Sequence, residues 1–465
     1  MTGMAEGQDN GVARAPLRAR VSWMMFDWSA QPFYTLVQTF LFAPYFANAV
    51  ASNPAHGQTM WGYAAAIAGL VIAILSPFLG AVADGRGRRK PWMALLSLVF
   101  LAGLSSLWLA MPAASNTTIM LVLAGFVVTY IAAELMSVFS NAIMTGLVPK
   151  SELGRLSGTG WAVGYFGGLA SLILVFGLLT PIPGSEKTIL GIAPLLPLDA
   201  ALHEGDRLSG PLSALWFAIF IIPFFLFVPD HKPVALAQTK RSATAELWDT
   251  IKSLPAVPSV LIFLVARMLY LDGLTVIFNF GGIYGASLFG WSLVELGIFG
   301  TILTLAGAIG ALMGGGLDDK LGPRAVIVGA LVILLIGTVG ILSVDKTHVL
   351  FSTEVAEKAA GSGPFSAIGE RVFLAFAFIV ALVAGPIQAA SRSLLARLAP
   401  ADKVTQFFGL FAFSGKATAF LAPFLVALMT QISGSQRIGM SAVLAFLVVG
   451  GVMMLFVKDH AGREG

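Results

Sequence analysis

The chain contains no cysteine and few charged residues. The absence of cysteine excludes disulfides, thiol nucleophiles and thiolate metal sites. Asp, Glu, Lys and Arg make up 11% of the 465 residues, whereas a soluble protein has about 25%. The five histidines all fall in predicted loops or tails, without the spacing of a metal site. The sequence therefore predicts a membrane protein with neither a metal nor a cofactor.

Other signals of function are also missing. The chain has no Gly-rich loop ending in Lys that would bind ATP phosphates. It has no catalytic dyad at one membrane depth, as a membrane-embedded enzyme would need, and no segment long enough for the soluble domain of a sensor. A net charge of +4 in so apolar a chain is no signal for nucleic acid. Residues 1–20 are polar and lack the apolar core of a signal peptide.

Hydrophobic residues make up 57% of the chain, enough for some twelve spans of about 20 residues. We therefore predict an all-α integral membrane protein with twelve transmembrane helices in two six-helix halves. Several predicted spans are long, which indicates tilt or extension beyond the bilayer. The predicted spans are Val21–Ala51, Met60–Ala83, Trp92–Met111, Thr117–Val148, Gly154–Thr180, Gly210–Val228, Pro258–Ala286, Ser292–Gly316, Ala325–Val344, Glu370–Ala399, Gln406–Ser433 and Ile438–Val457.

A short basic loop occurs twice, each time between two predicted spans. Both copies follow the pattern Gly-x-x-x-Asp-x-x-Gly-x-Arg. They comprise Gly80, Asp84, Gly87 and Arg89 in the first copy and Gly315, Asp319, Gly322 and Arg324 in the second. Equivalent positions are all separated by 235 residues, about half of the chain. Two copies at one offset indicate a duplicated bundle, as in a large class of secondary transporters.

The distribution of basic residues predicts the orientation. With the N-terminus in the cytoplasm, 20 of the 28 Lys and Arg residues lie in cytoplasmic segments or nearby helix ends, and six lie in outer ones. We therefore expect a multi-pass protein of the cell (inner) membrane with both termini cytoplasmic. The predicted divisions are an N-terminal tail 1–20, a six-helix bundle 21–228, a cytoplasmic linker 229–257, a second six-helix bundle 258–457 and a tail 458–465.

The linker contains a predicted short helix. Ser242 is placed to cap it, and Leu247, Trp248, Ile251 and Leu254 share one side. This spacing suits a helix lying on the membrane surface. It suits an ordinary linker helix packed on the protein equally well.

Two predicted spans carry polar stripes at helical spacing. The stripes are Tyr130, Glu134, Ser137 and Asn141 on the fourth span, and Asp27, Gln31, Tyr34 and Gln38 on the first. Charged groups inside a bilayer usually face a cavity or a partner because their burial is costly. We favour two helices that line one aqueous path over hydrogen bonds that only hold the bundle together. Asp27, near the cytoplasmic end, fits a gate residue and a structural ion pair equally.

The second half contributes a further set of polar groups. They are Arg267, Tyr270, Asp272, Thr275 and Asn279 on the seventh span, Gln388 and Arg392 on the tenth, and Lys416 on the eleventh. Arg267 and Asp272 lie roughly 140° apart around a helix, so we do not expect them to pair with each other. Lys416 fits either a structural pair with Asp272 or a contact with an anionic group of a substrate.

The duplicated loop resembles the signature of the major facilitator superfamily. Other stretches resemble its vacuole-effluxer-like branch, which includes fungal autophagy-related vacuolar amino-acid exporters and bacterial members. These stretches are Phe26–Ser29 with Tyr45–Phe46, Asn141–Pro149, Arg267–Gly273, Phe280–Gly285, Gly385–Ser393 and Phe408–Lys416. The resemblance implies amino-acid release. It also implies that Asp84 and the following basic residues brace the cytoplasmic side in one conformation, with Asp319 and Arg324 doing the same in the second half.

These observations predict a secondary active transporter, not an enzyme. We expect it to move a small polar or zwitterionic, amino-acid-like metabolite by alternating access, coupled to protons, as a monomer in the lipid bilayer. Transport of sugars or cell-wall fragments, drugs or lipids is the alternative, and a non-transporting sensor is less favoured. Glu134 is the first candidate for a protonatable or ammonium-binding group, and Arg267 or Lys416 for binding a carboxylate.

The candidate residues form two sets. Those for substrate or proton binding are Glu134, Asn141, Tyr130, Gln31, Tyr34, Gln38, Arg267, Tyr270, Asp272, Asn279, Gln388 and Lys416. Those for gating or the signature are Asp27, Gly80, Asp84, Gly87, Arg88, Arg89, Gly315, Asp319, Gly322, Arg324 and Arg392.

Overall fold

The structure is a computed structural model that describes residues 13–52, 54–86, 88–181, 186–230, 248–252, 254–291, 293–359 and 362–458. Within these ranges the chain is mostly helical, with one two-stranded hairpin. Ten helices are long and apolar enough to cross a membrane. The first and eleventh predicted spans are each divided into shorter helices. Together these segments form the predicted twelve-helix membrane architecture.

The spans are labelled α1 to α12 in chain order. Their bounds are α1 Leu17–Pro32, α2 Pro54–Arg86, α3 Lys90–Ser106, α4 Asn116–Met144, α5 Leu153–Leu172, α6 Ser209–Phe220, α7 Pro258–Phe289, α8 Leu293–Leu321, α9 Pro323–Leu342, α10 Ile368–Leu398, α11a Val404–Ser414, α11b Leu421–Ser433 and α12 Gln436–Met454. The longest, α2, has 33 residues, about 50 Å at 1.5 Å per residue. A hydrocarbon core is about 30 Å thick, so this helix, which is longer than the predicted span Met60–Ala83, must tilt or extend beyond it.

Local sequence explains where several helices begin. Ser115 caps α4, because its hydroxyl accepts a hydrogen bond from the Thr118 N–H at 3.2 Å. Gly322 precedes α9 with φ of +82°, a left-handed conformation that favours glycine. Pro323 follows at the first helical position, where its missing N–H costs nothing. The second glycine of the duplicated pattern is therefore needed for the turn between α8 and α9.

The first span changes its helical geometry after Pro32. The α-helix ends there, and the chain continues as a π-helix over Phe33–Phe40, a short α-helix over Phe42–Tyr45 and a second π-helical turn over Phe46–Val50. Proline disrupts the regular hydrogen-bond ladder of a helix. π-Helical turns are rare and concentrate at functional sites.

The eleventh span, predicted as one helix over Gln406–Ser433, is broken. Turns replace the helix between α11a and α11b, and Lys416 lies in this break. Arg267 of α7 contacts the end of α11a, where its guanidinium donates a 2.6 Å hydrogen bond to the Phe411 carbonyl oxygen. A Cβ on Gly415 would lie 3.1 Å from the same guanidinium. Arg267 thus lies close to the last turn of α11a at a glycine.

Each half has an aromatic core. In the first half, Phe33 contacts Phe100 edge-on at 5.6 Å between ring centroids, and Phe100 contacts Phe217 at 4.7 Å. In the second half, Trp291 contacts Phe373 edge-on at 5.5 Å. Such pairs add about 0.5–1.5 kcal/mol each beyond the burial of their area. They stabilise each six-helix half from within.

The loop between α9 and α10 folds over one end of the second half. His348–Val349 and Thr353–Glu354 form an antiparallel hairpin. Partial burial tends to raise the pKa of Asp345, but hydrogen bonds from the backbone N–H groups of Thr347 and His348 outweigh it and lower the pKa to about 2. Arg437 of α12 adds a contact at 3.2 Å. This carboxylate stays ionised and ties the loop to α12.

A lysine fixes the same loop to two helices. Lys358 lies 2.5 Å from Glu295 of α8 and 2.9 Å from Glu370 of α10. Hydrogen bonds to Glu295 and Glu370 raise the pKa of Lys358. Trp291 also donates to Glu370 at 2.9 Å. The loop therefore closes over the aromatic core of the second half.

Only part of the linker between the halves is described. Ser242 and Leu247 lie outside the described residues. In the segment 248–252, Thr250 is buried and hydrogen-bonded to Gln406 of α11a at 3.2 Å, whereas Trp248 is 57% exposed. One side of the segment thus packs on the protein while an aromatic side chain faces outward.

Candidate functional site

The first copy of the duplicated loop joins the two halves. Asp84, at the end of α2, accepts hydrogen bonds from the backbone N–H groups of Thr405 and Gln406 at 3.2 and 2.8 Å. These groups belong to the first turn of α11a, where unpaired N–H groups and the helix dipole favour an anion. Arg89 pairs with Asp84 at 3.1 Å and donates to the Thr405 hydroxyl at 2.8 Å. We call the end of the bundle that carries Asp84 and Asp319 the signature end.

The second copy makes the equivalent contact in the opposite direction. Asp319, at the end of α8, accepts a hydrogen bond from the Arg155 N–H of α5 at 3.1 Å. An acidic residue from each half therefore caps a helix of the other half. Arg324 departs from this symmetry: it donates to the carbonyl oxygens of Met454 and Leu455, both in its own half.

Sequence reasoning missed several residues at the signature end. Asp318 is buried and pairs with Arg397 of α10 at 2.9 Å. Asp318 also accepts a hydrogen bond from the Ser393 hydroxyl. The available signal was the adjacent Asp318-Asp319 pair, in which the residue directly before the aspartate of the pattern is also acidic. Arg88 is exposed, and Gly87 lies outside the described residues.

The first glycine of each copy allows the two halves to touch. A Cβ on Gly80 would lie 2.5 Å from the Thr405 carbonyl oxygen and 2.8 Å from Gln406 Cα. A Cβ on Gly315 would lie 2.8 Å from the Gly154 carbonyl oxygen of α5. In both places the obstacle is backbone of the other half, so the two helices cross at a distance that only glycine permits.

An ion pair between the halves lies deeper in the bundle. Arg392 of α10 contacts Asp27 of α1 at 3.3 Å and Asn141 of α4 at 3.3 Å. It also donates to the hydroxyl and the carbonyl oxygen of Ser157 at 2.8 and 2.6 Å. Its guanidinium lies 5.0 Å from the Trp23 ring. Arg392, itself 5% exposed, thus joins three helices of the first half.

A second ion pair between the halves lies at the break in the eleventh span. Lys416 lies 3.3 Å from Glu134 of α4 and donates to the Tyr130 hydroxyl at 2.6 Å. The structure therefore pairs Lys416 with Glu134 and not with Asp272, because the break turns Lys416 toward the first half. The negative end of the α11a dipole favours a cation here. Both charged side chains are 20% exposed, so they border a space that water can enter.

Arg267 lies beside this pair without a carboxylate of its own. Besides Phe411, it donates to the Ser414 hydroxyl at 2.8 Å. The guanidinium lies 3.4 Å from the Phe411 ring centroid. Within the described residues no carboxylate lies within 4.0 Å of it. Tyr270, on the same helix, shares a 2.7 Å hydrogen bond with Ser391.

The remaining candidates are distributed around these groups. Gln31 contacts Thr35 at 3.5 Å, and Gln388 donates to the Ala384 carbonyl oxygen of its own helix at 3.3 Å. Tyr34 is half-buried and contacts Phe33 edge-on at 5.1 Å between ring centroids. Gln38 is half-buried. The Asn279 side chain lies outside the described residues.

Comparison with known proteins identifies the family. Residues 50–465 match the family model described as "Vacuole effluxer Atg22 like", which covers far more than half of the chain. The chain belongs to this family of major facilitator transporters. The resemblance inferred from the sequence is thus confirmed.

Individual relatives agree with this assignment. The "Uncharacterized MFS-type transporter YxiO" of Bacillus subtilis is 24% identical over 452 residues, covering 95% of each protein. "Autophagy-related protein 22" of Cryptococcus neoformans is 27% identical over 326 residues. The chain spans only 54% of that fungal protein's length.

Solved structures confirm the predicted fold class. The major facilitator transporter FucP in the outward conformation has a TM-score of 0.68 at 13% identity, over 95% of this chain and 98% of FucP. The proton:xylose symporter XylE has a TM-score of 0.66 at 14% identity, over 95% of each chain. The chain is therefore an all-α membrane protein with the twelve-helix major facilitator fold.

Proposed function

We propose that this family member is a proton-coupled secondary transporter of a small zwitterionic, amino-acid-like metabolite. The observation that supports the proposal best is the Glu134–Lys416 pair, which joins the two halves at a helix break. Broken helices near the membrane midplane form the substrate sites of many transporters. The ammonium group of an amino acid can replace Lys416 beside Glu134, and its carboxylate can bind Lys416 and Arg267. The description "vacuole effluxer" favours export.

The two bundles, 21–228 and 258–457, are the moving bodies in this proposal. Asp84 and Asp319 hold the signature end closed, and the Asp27–Arg392 pair forms a second layer between that end and the substrate. Opening the signature end requires these contacts to break together. Substrate that separates Glu134 from Lys416 weakens the connection between the bundles at the centre. Binding and opening are thus coupled through the same contacts.

A thermal-shift screen of the purified protein tests the substrate class. We expect at least one amino acid to raise the melting temperature, since a ligand at 100 times its Kd stabilises by about 2.7 kcal/mol. Dipeptides, sugars and lipids serve as comparisons. The shift should disappear in Arg267→Lys, because an ammonium group cannot reproduce the planar fork of guanidinium donors. A shift with sugars alone would contradict the proposed substrate class.

The proposed orientation places the signature end in the cytoplasm and both termini with it. The chain has no cysteine, so single cysteines report accessibility directly. A cysteine replacing Lys320 should resist an impermeant thiol reagent in intact cells and react after the cells are opened. A cysteine replacing Glu204 should react in intact cells. The reverse pattern would overturn the orientation.

A further inference from the structure

One acidic residue of the membrane helices differs from all the others. Within the bounds given above, helices α1 to α12 contain eight acidic residues. Seven of these lie within 4.0 Å of a basic group. The seven are Asp27, Asp84, Glu134, Glu295, Asp318, Asp319 and Glu370. The eighth, Asp272 of α7, has no basic group at that distance among the described residues. It is 2% exposed, and its Oδ2 atom makes no hydrogen bond.

The position of Asp272 is deep in the membrane region. It lies 14 residues after Pro258, the first residue of α7, or about 21 Å along the helix axis. The hydroxyl of Thr418, in the break of the eleventh span, lies near the carboxyl group. That hydroxyl is itself buried and, like the Oδ2 atom of Asp272, has no hydrogen-bond partner among the described residues. Asp272 is thus linked to the same break that carries Lys416.

The charged groups around Asp272 are already engaged elsewhere. On its own helix, Arg267 donates to the Phe411 carbonyl oxygen and Tyr270 bonds Ser391 of α10. From the break, Lys416 pairs with Glu134. From α12, the apolar side chains of Phe446 and Leu447 pack against Gly273, the residue after Asp272. Arg437 of the same helix is paired with Asp345. Among the described residues, Arg267 is the nearby basic group, but it lies farther than 4.0 Å from the carboxyl group. Asp272 therefore has no direct ion-pair partner there, and a buried charge without one is very costly.

We propose that Asp272 is the site that binds the coupling proton, an inference that rests on the proposed transport function. Proton uptake forms one O–H bond at the carboxylate, with the proton delivered by hydronium in the cleft between the halves and a neutral water molecule left behind. The neutral group is then buried near Thr418. Movement of the break when the signature end opens exposes the group and lets the proton leave. Glu134, already neutralised by Lys416, is left to bind the substrate.

Infrared difference spectroscopy tests this assignment without a known substrate. The full chain is reconstituted in phosphatidylethanolamine and phosphatidylglycerol vesicles, and spectra are compared between acidic and alkaline buffer. We expect a carbonyl-stretch band of a protonated carboxyl group that titrates in the parent and is lost in Asp272→Asn. Glu134→Gln and Asp27→Asn should keep it. Thr418→Val should shift its frequency, because a methyl group replaces the hydroxyl near the carboxyl group.

Several outcomes would overturn the assignment. They are a parent protein without a titrating band, a band that persists in Asp272→Asn, or a band that is lost in Glu134→Gln. If Asp272→Asn does not fold, Asp272→Glu replaces it, and its band must move relative to the parent. The band does not depend on transport. A protein that shows the band but transports no amino acid would therefore contradict the proposed substrate class without contradicting the proton site.

Discussion

Replacing Gly80 by alanine will open the signature end of the transporter. The new methyl group would lie 2.5 Å from the Thr405 carbonyl oxygen and 2.8 Å from Gln406 Cα. Both obstacles are backbone atoms, so no side-chain rotation relieves the clash, and α2 must separate from α11a. The separation also lengthens the hydrogen bonds that Asp84 accepts from the two N–H groups. Overpacking costs about 1–3 kcal/mol, so we expect the balance of conformations to shift by roughly 5- to 150-fold.

A cysteine in the cleft measures this shift. Ser137 lies on the polar stripe of α4 and is half-buried. We expect Ser137→Cys to react with a thiol reagent applied from the signature side about tenfold faster when Gly80→Ala is present. Gly69→Ala is the matched control, because it lies on the same helix and a Cβ there meets nothing within 4 Å. Equal rates in the two alanine variants would mean that the crossing at Gly80 does not control access.

The second half allows the same comparison. A Cβ on Gly315 would lie 2.8 Å from the Gly154 carbonyl oxygen, whereas one on the adjacent Gly316 meets nothing within 4 Å. Gly315→Ala should therefore accelerate labelling and Gly316→Ala should not. Agreement between the two halves would show that both copies of the duplicated loop act on the same closure.

The contrast between the two glycines explains what the sequence could predict. The repeat at one offset, the twelve spans and the polar stripes are properties of local pattern, and the fold that they predicted is confirmed. The pattern does not show which atoms a glycine touches. Gly315 and Gly316 are adjacent glycines that the sequence does not distinguish. The packing of α8 on α5 distinguishes them. The partner backbone comes from the other half and leaves no local trace.

Charged partners were unpredictable for the same reason. Arg392 and Asp27 are 365 residues apart, and hydropathy gives each residue a depth in the membrane but no direction toward a neighbour. The break at Lys416 was missed because the segment is apolar enough to read as one helix. At its start, Arg267 donates a further hydrogen bond to the Phe411 carbonyl oxygen, which still accepts the helical one from the Gly415 N–H at 3.2 Å. A side chain from a distant span thus contacts α11 at the break, and the sequence pattern does not show this contact.

Variants of the Glu134–Lys416 pair distinguish a role in substrate binding from a role in structural support. Neutralising one partner, in Glu134→Gln or Lys416→Gln, leaves the other charge unpaired in a largely buried site. Removing one member of a buried pair costs about 3–5 kcal/mol, and we expect the lower end because both side chains are 20% exposed. The double variant carries neither charge, so it should recover most of the lost melting temperature. The recovery is expected because two neutral amides can hydrogen-bond where the ions met.

Transport should not recover with stability in the double variant. If Glu134 binds the substrate ammonium group and Lys416 its carboxylate, a stable protein without either charge loses both contacts. We therefore expect all three variants to lose uptake of the stabilising amino acid into reconstituted vesicles, whatever their melting temperature. Glu152→Gln is the control, because it breaks an ion pair with Arg14 at the protein surface and should transport normally. A double variant that regains transport together with stability would show that the pair only holds the bundles together, and the substrate site would then have to be sought at Arg267 alone.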